Sequence, residues 1–251
     1  MSVKKYEFTG EVKIHLGVEL KQIRALVAIA AFGVGVGDIG GWVQSEGNLS
    51  HSGSAWVYGD AQVYGDARVS GNAWVSGNAQ VYGNARVYGD ARVSGNAWVS
   101  GDALVYGDAQ VYGDAQVSGN AWVSGDAQVY GNARVYGDAR VYGDARVYGD
   151  ARVSGDARVY GDAWVSGNAW VYGDARVSRP VKCLTGFEHV VTITDDHIIA
   201  GCECHPPSVW KKRGAAIIKA DGHSSKDAKA WAKIINLIAA AHGCEDREVA
   251  A

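Results

Sequence analysis

A six-residue motif governs the middle of this chain. From Ala55 to Ala175, alanine recurs at every sixth position within the pattern Ala-x-Val-(Tyr/Ser)-Gly-(Asp/Asn), which makes 21 hexads. In an extended segment, residues two apart point to the same side, so Ala and Val face one way and the residue between them faces the other. Gly, Asp and Asn tolerate left-handed backbone conformations and supply a turn. Each hexad is therefore predicted to be one short strand followed by one corner.

These hexads must stack, because a strand of three residues cannot bury its own Ala and Val. Stacked coils give every hexad a neighbour above and below and a continuous thin core. Two imperfect hexads, VQSEGN from Val43 and LSHSGS from Leu49, precede the regular ones in the same frame, and VSRP breaks the last one at Pro180. The sequence therefore predicts an all-β solenoid over residues 43–180 with atypical terminal repeats, as capping units usually are.

The frame of the hexads resembles the hexapeptide repeat, small-x-aliphatic-x-x-x, of the trimeric LpxA-like superfamily. That resemblance implies a left-handed parallel β-helix with a triangular coil of three hexads. The residues after Val run in pairs of Tyr and pairs of Ser from Tyr58 to Ser124. Such a four-hexad period also suits a flattened, two-sided coil of two hexads. The three-sided coil is favoured, and the two-sided coil stays open as the alternative.

The outward positions of the hexads are rich in side chains that are typical of protein interfaces. Trp, Tyr and Arg are enriched in interface hot spots, so we expect a broad binding face for a second copy of the chain or for another protein. The competing interpretation is that these side chains stack one coil apart and stabilise the solenoid itself. The predicted face comprises Trp56, Trp74, Trp98, Trp122, Trp164, Trp170, Arg140, Arg146, Arg152 and Arg158.

The repeat contains few residues that could act in catalysis. Members of the superfamily are often acyltransferases, which need a general base, usually His, near a site between subunits. Between Ala55 and Arg179 the sequence has no His, Cys, Glu or Lys and no insertion. His51 holds an inward place in an imperfect hexad, where a buried cap residue is expected rather than a base. The interpretation leans against catalysis, keeps a hexapeptide-type acyltransferase as the alternative, and expects no cofactor.

The segment before the hexads narrows the resemblance. Gly37 to Ser50, GDIGGWVQSEGNLS, leads into the hexads through a glycine-rich turn that ends at Trp42. It resembles the YdcK-type hexapeptide-repeat proteins of enteric bacteria and their phage and prophage relatives, which implies a phage or prophage origin. Names such as acyltransferase in such families rest on the fold alone. Residues 1–42 are predicted to form a β segment and cap, with Trp42 plugging the open end of the core.

After Pro180 the composition changes abruptly. The sequence HVVTITDDHIIAGC has the pattern of a hairpin, and HPPSVW that of a rigid connection. SSKDAKAWAKIINLIAAAHG is a predicted helix, which Ser224 or Ser225 caps and Gly243 ends. Residues 181–251 are therefore predicted to form a small α+β domain.

One constellation in this C-terminal part is typical of metal binding. Cys202, Cys204 and His205 form C-x-C-H, and Cys183 lies nearby in the sequence. A structural Zn²⁺ needs four nitrogen or sulfur ligands, which these four residues would supply. The paired C-x-x-C spacing is missing, so buried, reduced cysteines are the competing interpretation. The segment TDDHIIAGCECHPPSVW also resembles the tails of phage-encoded hexapeptide proteins.

Composition limits the remaining function classes. The net charge is −3 and the pI is near 6.1, which argues against binding to nucleic acids or anionic membranes. No apolar run is long enough to span a bilayer. Four unevenly spaced cysteines without an export signal predict a cytoplasmic protein. The sequence predicts a non-catalytic binding or structural solenoid that forms a homo-oligomer, trimer or dimer, or binds a host or phage protein. A phage decoy that inhibits a host factor and a glycan-binding aromatic ladder are further alternatives.

Overall fold

Each hexad folds into one two-residue strand and one corner. The computed structural model describes residues 4–185, 189–220 and 222–246. From Trp56–Val57 to Arg158–Val159, each strand of the hexads pairs in parallel with the strand three hexads further along, as Trp56 does with Trp74 and Gln62 with Gln80. One coil therefore takes three hexads, not the two of the flattened alternative. The left-handed sense of the coil stays a prediction from the hexapeptide resemblance.

A hairpin and a short strand precede the regular hexads. Strands β1 (Tyr6–His15) and β2 (Val18–Ala25) form the hairpin, and β2 pairs antiparallel with β3 (Ile39–Val43). Strand β3 then pairs in parallel with the strand at Gln62–Val63, so the hairpin extends one side of the solenoid. Short 3-10 helices cover Ala30–Phe32 and Glu46–Asn48.

The strands of the coils lie in three parallel sheets, named face 1, face 2 and face 3. Face 1 continues from β3 through β5 (Gln62–Val63), β8 (Gln80–Val81), β11 (Trp98–Val99), β14 (Gln116–Val117), β17 (Arg134–Val135), β20 (Arg152–Val153) and β23 (Trp170–Val171). Face 2 contains β4 (Trp56–Val57), β7 (Trp74–Val75), β10 (Arg92–Val93), β13 (Gln110–Val111), β16 (Gln128–Val129), β19 (Arg146–Val147) and β22 (Trp164–Val165). Face 3 contains β6 (Arg68–Val69), β9 (Arg86–Val87), β12 (Leu104–Val105), β15 (Trp122–Val123), β18 (Arg140–Val141), β21 (Arg158–Val159) and β24 (Arg176–Val177).

The core of the solenoid is a column of alanine and valine. Every Ala from Ala55 to Ala175 and every Val from Val57 to Val177 in the hexad frame is fully buried. Burying one such valine contributes about 1.5–3 kcal/mol, and the column repeats this contribution in every hexad. The residue between Ala and Val points outward, as the alternation of a strand requires.

The two ends of the solenoid expose different backbone groups. Inside the array, each strand N–H donates to a carbonyl one coil further on, as Trp98 N–H does to the Ala115 oxygen at 2.9 Å. The first coil therefore has carbonyls that lack a donor, and the last coil has N–H groups that lack an acceptor. Buried backbone groups without partners are costly, so each end needs its own kind of cap.

Donor side chains cap the first coil. The Asn48 amide donates to the Gly65 and Ala67 oxygens, both at 2.9 Å. The Lys5 ammonium group reaches the Ala55 oxygen at 2.6 Å. Both side chains are buried, and burial lowers the pKa of Lys5 to about 8. A buried lysine and asparagine are thus explained by the carbonyls they satisfy.

Apolar side chains of the N-terminal segment close the same end. Tyr6, Ile23 and Leu49 are fully buried and join the alanine–valine core. Trp42, predicted to plug the core, instead points outward from β3, where the Lys13 Nζ lies 4.3 Å from its ring centroid. The plug prediction is wrong because Trp42 occupies the outward place of its hexad, whereas Val43 takes the inward one.

Acceptor side chains close the last coil. The Thr192 hydroxyl accepts the Trp170 N–H at 3.2 Å, and an Asp196 carboxylate oxygen accepts the Arg176 N–H at 2.8 Å. Thr192 and Asp196 are both buried. They replace the carbonyls that a further coil would have supplied.

A small antiparallel sheet and two helices carry these acceptors. The sheet contains β25 (Lys182–Leu184), β26 (Val191–Ile193), β27 (Ile198–Ala200) and β28 (Glu203–His205) in chain order. The helices are α1 (Pro207–Ala220) and α2 (Ser225–His242). In the described parts of the chain, neither helix is long and apolar enough to cross a membrane.

The C-terminal elements agree with the sequence in part. Strands β26 and β27 form the predicted hairpin, and α2 has Ser224 as its N-cap and ends at Gly243. The segment HPPSVW, predicted as a rigid connection, instead begins α1. Pro207 suits the first turn of a helix, where its missing N–H is not needed. Trp210 is buried there and donates to the Ile198 oxygen at 2.7 Å.

Removing a donor from the first coil should destabilise the whole solenoid. Asn48→Ala leaves the buried Ala67 carbonyl and the partly buried Gly65 carbonyl unpaired, so we expect the free energy of unfolding in urea to fall by about 2–4 kcal/mol. Asn84→Ala is the control, because the exposed Asn84 amide bonds the Asp102 side chain at 2.9 Å and its loss should cost less than about 1 kcal/mol. Equal losses for the two variants would contradict the capping role.

Close stacking of the corners can be separated from their backbone conformation. Gly101 has φ +66°, and an added Cβ would lie 3.0 Å from the Gly119 nitrogen. Gly167 has φ +60° but no atom within 4 Å of an added Cβ. Gly167→Ala should cost about 1–2 kcal/mol for the left-handed conformation alone. Gly101→Ala should cost measurably more in the same urea titration, and equal costs would show that the stacking clash is unimportant.

Candidate binding faces

The three-hexad coil distributes the predicted binding residues over three sides of the solenoid. Consecutive hexads turn onto different faces, so neighbours in the sequence point in different directions. Face 1 carries Trp98, Arg152 and Trp170, face 2 carries Trp56, Trp74, Arg146 and Trp164, and face 3 carries Trp122, Arg140 and Arg158. The ten residues therefore do not form the one continuous face that the sequence suggested.

Two of the tryptophans are covered by the N-terminal segment. Trp56 is fully buried, and a Cβ added at Gly40 would lie 2.7 Å from its ring. The Trp74 ring packs on Phe32 and Tyr58, with centroid distances of 4.5 and 5.7 Å. Trp56 therefore cannot serve an exposed binding face, and Trp74 is partly covered. The outward position of a residue in its hexad does not predict whether a distant segment of the chain covers it.

Four tryptophans remain exposed on the regular strands. Trp98, Trp164 and Trp170 are each 43% exposed, and Trp122 is 38% exposed. Tryptophan is enriched at protein interfaces because its ring is apolar and its N–H is polar, and these four rings stand on hydrogen-bonded strands. These four side chains are the strongest candidates for a binding role.

Three of these indoles lie against an arginine one coil away. The guanidinium carbons of Arg140, Arg146 and Arg152 lie 4.6, 5.5 and 4.9 Å from the ring centroids of Trp122, Trp164 and Trp170, respectively. Arg158 instead has Arg140 and Arg176 as its row neighbours on face 3. The stacking interpretation therefore holds for these three pairs, and each pair presents an ordered cation and an indole together.

Tyrosines at the corners also stack between coils. The rings of Tyr112, Tyr130 and Tyr148 follow one another with centroid distances of 4.8 and 5.0 Å and nearly parallel planes. Burial raises the pKa of Tyr112. Much of the tyrosine surface is thus used within the chain, which leaves the tryptophans and arginines as the more available groups.

His51, considered as a general base, serves the N-terminal cap. Its ring stacks on Tyr6 at a centroid distance of 4.3 Å, and its Nδ1 accepts the Lys5 N–H at 3.1 Å. Its Nε2 lies 4.0 Å from a Glu46 carboxylate oxygen. His51 thus lies in the cap, as the sequence predicted, although its side chain is 22% exposed rather than buried. One ring nitrogen is occupied by backbone, and the other faces a residue of the same cap.

The predicted zinc ligands do not converge. Cys183 on β25 and Cys204 on β28 lie at opposite edges of the small sheet, with two strands between them. Strands about 4.8 Å apart separate the two cysteines by about 14 Å. Cys202 lies in an exposed turn, and His205 pairs with the neighbouring Glu203 carboxylate. Among the described residues, no group of three or more His, Cys, Asp or Glu side chains could hold a metal ion.

The cysteine pattern has a packing explanation instead. Cys183, Thr192, Ile199 and Cys204 form one row across the small sheet. This row meets the last coil, since Thr192 bonds Trp170 and the Cys204 sulfur donates to the backbone oxygen of Tyr172 at 3.4 Å. Cys183 is exposed at the outer end of the row, yet partial desolvation of its sulfur raises its pKa, which keeps it a thiol.

The hexads match a known repeat. The matching family model is described as the YdcK Beta solenoid repeat, and it covers residues 61–77, 79–95, 85–101, 91–107, 97–113, 109–126, 127–143, 139–155 and 151–167. These residues all lie in the coils, so the similarity concerns the solenoid. No curated protein matches the chain.

The arginine–tryptophan contacts should be measurable as a coupling energy. A double-mutant cycle of Arg140→Gln and Trp122→Gln should give about 0.5–1 kcal/mol in urea unfolding, the range for an exposed cation–π pair. Arg134→Gln with Trp122→Gln is the control, because the row neighbours of Arg134 are Gln116 and Arg152 and the coupling should be near zero. Equal couplings would remove the arginine–indole contact as a stabilising interaction.

Proposed function

We propose that the protein is a non-catalytic binding scaffold that presents tryptophan and arginine side chains to a protein partner or to a second copy of itself. The observation that carries this proposal is the exposure of Trp98, Trp122, Trp164 and Trp170, at 38–43%, on regular strands. Trp and Arg are the side chains that most often dominate binding energy in protein interfaces. Burial of these indoles by a partner provides free energy that the isolated chain does not use.

The rigidity of the solenoid supports this role. Each exposed indole stands on a strand that is hydrogen-bonded to the next coil, such as Trp98 N–H to Ala115 and Trp122 N–H to Ala139, both at 2.9 Å. A side chain whose backbone is already ordered loses less entropy on binding than one on a mobile loop. The coils therefore pre-organise the candidate contacts.

A concave part of this surface lies at the last coil. Trp164 and Trp170 lie on neighbouring faces of that coil. Trp170 and Arg152 line a cavity of about 320 Å³ together with His189 and Val190 beside the C-terminal sheet. Hot spots favour pockets in which an aromatic or arginine anchor is desolvated. A partner that reaches into this cavity would bury both members of the stacked pair.

The chemistry of the coils supports binding over catalysis. The regular hexads lack His, Cys, Glu and Lys, and their outward positions hold only Arg, Gln, Trp and a single Leu. General acid–base catalysis most often uses histidine, which the regular hexads do not contain. The repeat varies where a partner would touch it and stays constant where packing requires it.

Substitutions that the repeat itself uses provide the test. Gln occupies the outward positions one coil before and after Trp98, at Gln80 and Gln116. The fourfold variant of Trp98, Trp122, Trp164 and Trp170 to Gln should therefore fold, with a melting temperature lowered only by the loss of the three arginine–tryptophan contacts. We expect it to lose most of the partner capture in a pull-down, or most of the self-association beyond a dimer, that the native chain shows.

Three glutamine-to-alanine variants are the matched controls for the tryptophan variant. Gln80→Ala, Gln116→Ala and Gln128→Ala alter the outward rows of faces 1 and 2 without removing an indole and should leave binding unchanged. Native mass spectrometry and pull-down measure both kinds of association. If the native chain captures no protein and forms no assembly larger than a dimer, or if capture or the larger assembly survives loss of all four indoles, the proposal is wrong.

A further inference from the structure

The N-terminal hairpin displays an apolar patch that the chain itself does not use. The hairpin patch consists of Val12, Ile14, Leu16, Glu19 and Lys21. Val12 is 49%, Ile14 68% and Leu16 83% exposed. This surface lies outside the tryptophan-bearing strands, so it concerns an interaction beyond the proposed function.

The two sides of the hairpin have different surroundings. Lys13 and His15 point toward the solenoid, where Lys13 contacts the Trp42 ring and the His15 ring lies 5.7 Å from that of Tyr64. Val12 and Ile14 alternate with them and therefore point the other way, into solvent. One side of the hairpin is thus docked, and the opposite side is free.

The turn of the hairpin holds an exposed leucine in an unfavourable backbone conformation. Leu16 and Gly17 join β1 to β2, with φ values of +48° and +81°. Two-residue turns of this type prefer Asn, Asp or Gly, because a left-handed conformation is unfavourable for a larger side chain. Leu16 is the only non-glycine residue with a positive φ among the described residues. A strained and exposed leucine suggests a role outside the folded monomer.

The patch is complementary to itself. Val12 lies opposite Lys21 and Ile14 opposite Glu19 in the hairpin register, so all four side chains share the free side. The Glu19 and Lys21 charges are 3.8 Å apart and exposed. A twofold axis at right angles to the strands, between the Val12 and Ile14 rows, places Val12 on Ile14 of a second copy and Glu19 on its Lys21. Both apolar and charged groups then meet suitable partners.

We infer that two copies of the chain dimerise through this hairpin patch, with their β1 strands antiparallel and face to face. The patch is smaller than a standard interface, so the dimer should be a weak one with a dissociation constant in the micromolar range. The contact uses none of the four exposed tryptophans and presents each of them twice on one assembly, which raises the avidity of any partner that engages them.

Leu16→Asn separates dimerisation from folding. Asn is favoured at the left-handed turn position, so the variant should keep or raise the melting temperature while weakening the dimer about tenfold or more in sedimentation equilibrium. Leu237→Asn is the matched control, because Leu237 is 70% exposed on α2 and its replacement should leave the dimer unchanged. A native chain that stays monomeric up to about 500 µM, or a Leu16→Asn variant that dimerises normally, would overturn the inference.

Charge exchange tests the twofold arrangement. Glu19→Lys and Lys21→Glu each place like charges together at two symmetric contacts and should weaken the dimer about tenfold. The double variant restores opposite charges and should return to within about threefold of the native dissociation constant. Weakening that simply adds up in the double variant would exclude this geometry. Association that survives Leu16→Asn but is lost in the fourfold tryptophan variant would assign dimerisation to the faces and overturn the hairpin contact.

Discussion

The parallel hydrogen-bond ladder between coils is the interaction on which the rest of the structure depends. Each strand N–H finds its acceptor one coil further on, as Arg92 N–H does at Ala109, 2.9 Å away. The ladder requires that every coil rises by the same distance along the solenoid axis. Equivalent positions of the hexads therefore stack on one another, with Ala and Val inward and glycine at the corners. Asn side chains extend it at the surface, as the Asn72 amide does to the Asp90 carboxylate. A ladder with one direction also makes the two ends chemically different.

That polarity explains most buried polar groups in the described residues. Lys5 and Asn48 donate at the first coil, whereas Thr192 and Asp196 accept at the last. Buried polar side chains are costly without hydrogen bonds, so their placement at the ends follows from the orphaned backbone. The main structural role of the flanking segments is therefore to cap the two ends of the solenoid. This also accounts for the cysteine row of the C-terminal sheet, which packs on the last coil rather than surrounding a metal.

The uniform interior leaves variation to the outward side chains. Because the coil repeats every three hexads, outward residues at that spacing form rows, and Arg–Trp and Tyr–Tyr pairs stack along them. The same rows separate residues from adjacent hexads, such as Trp164 and Trp170, onto different faces. Binding surfaces on this solenoid are therefore defined by coil geometry and by the segments that cover the first coil.

The hexad by itself determined the solenoid, its inward alanines and valines, its glycine corners and the existence of atypical ends, because these depend on local spacing and backbone conformation. The C-terminal hairpin and α2 also followed from local patterns. Only the tertiary structure decided the grouping of outward residues, the burial of Trp56, the outward position of Trp42 and the separation of Cys183 from Cys204. Each of these depends on the number of hexads in a coil or on the packing of a segment that is distant in the sequence. The six-residue spacing alone specifies neither of them.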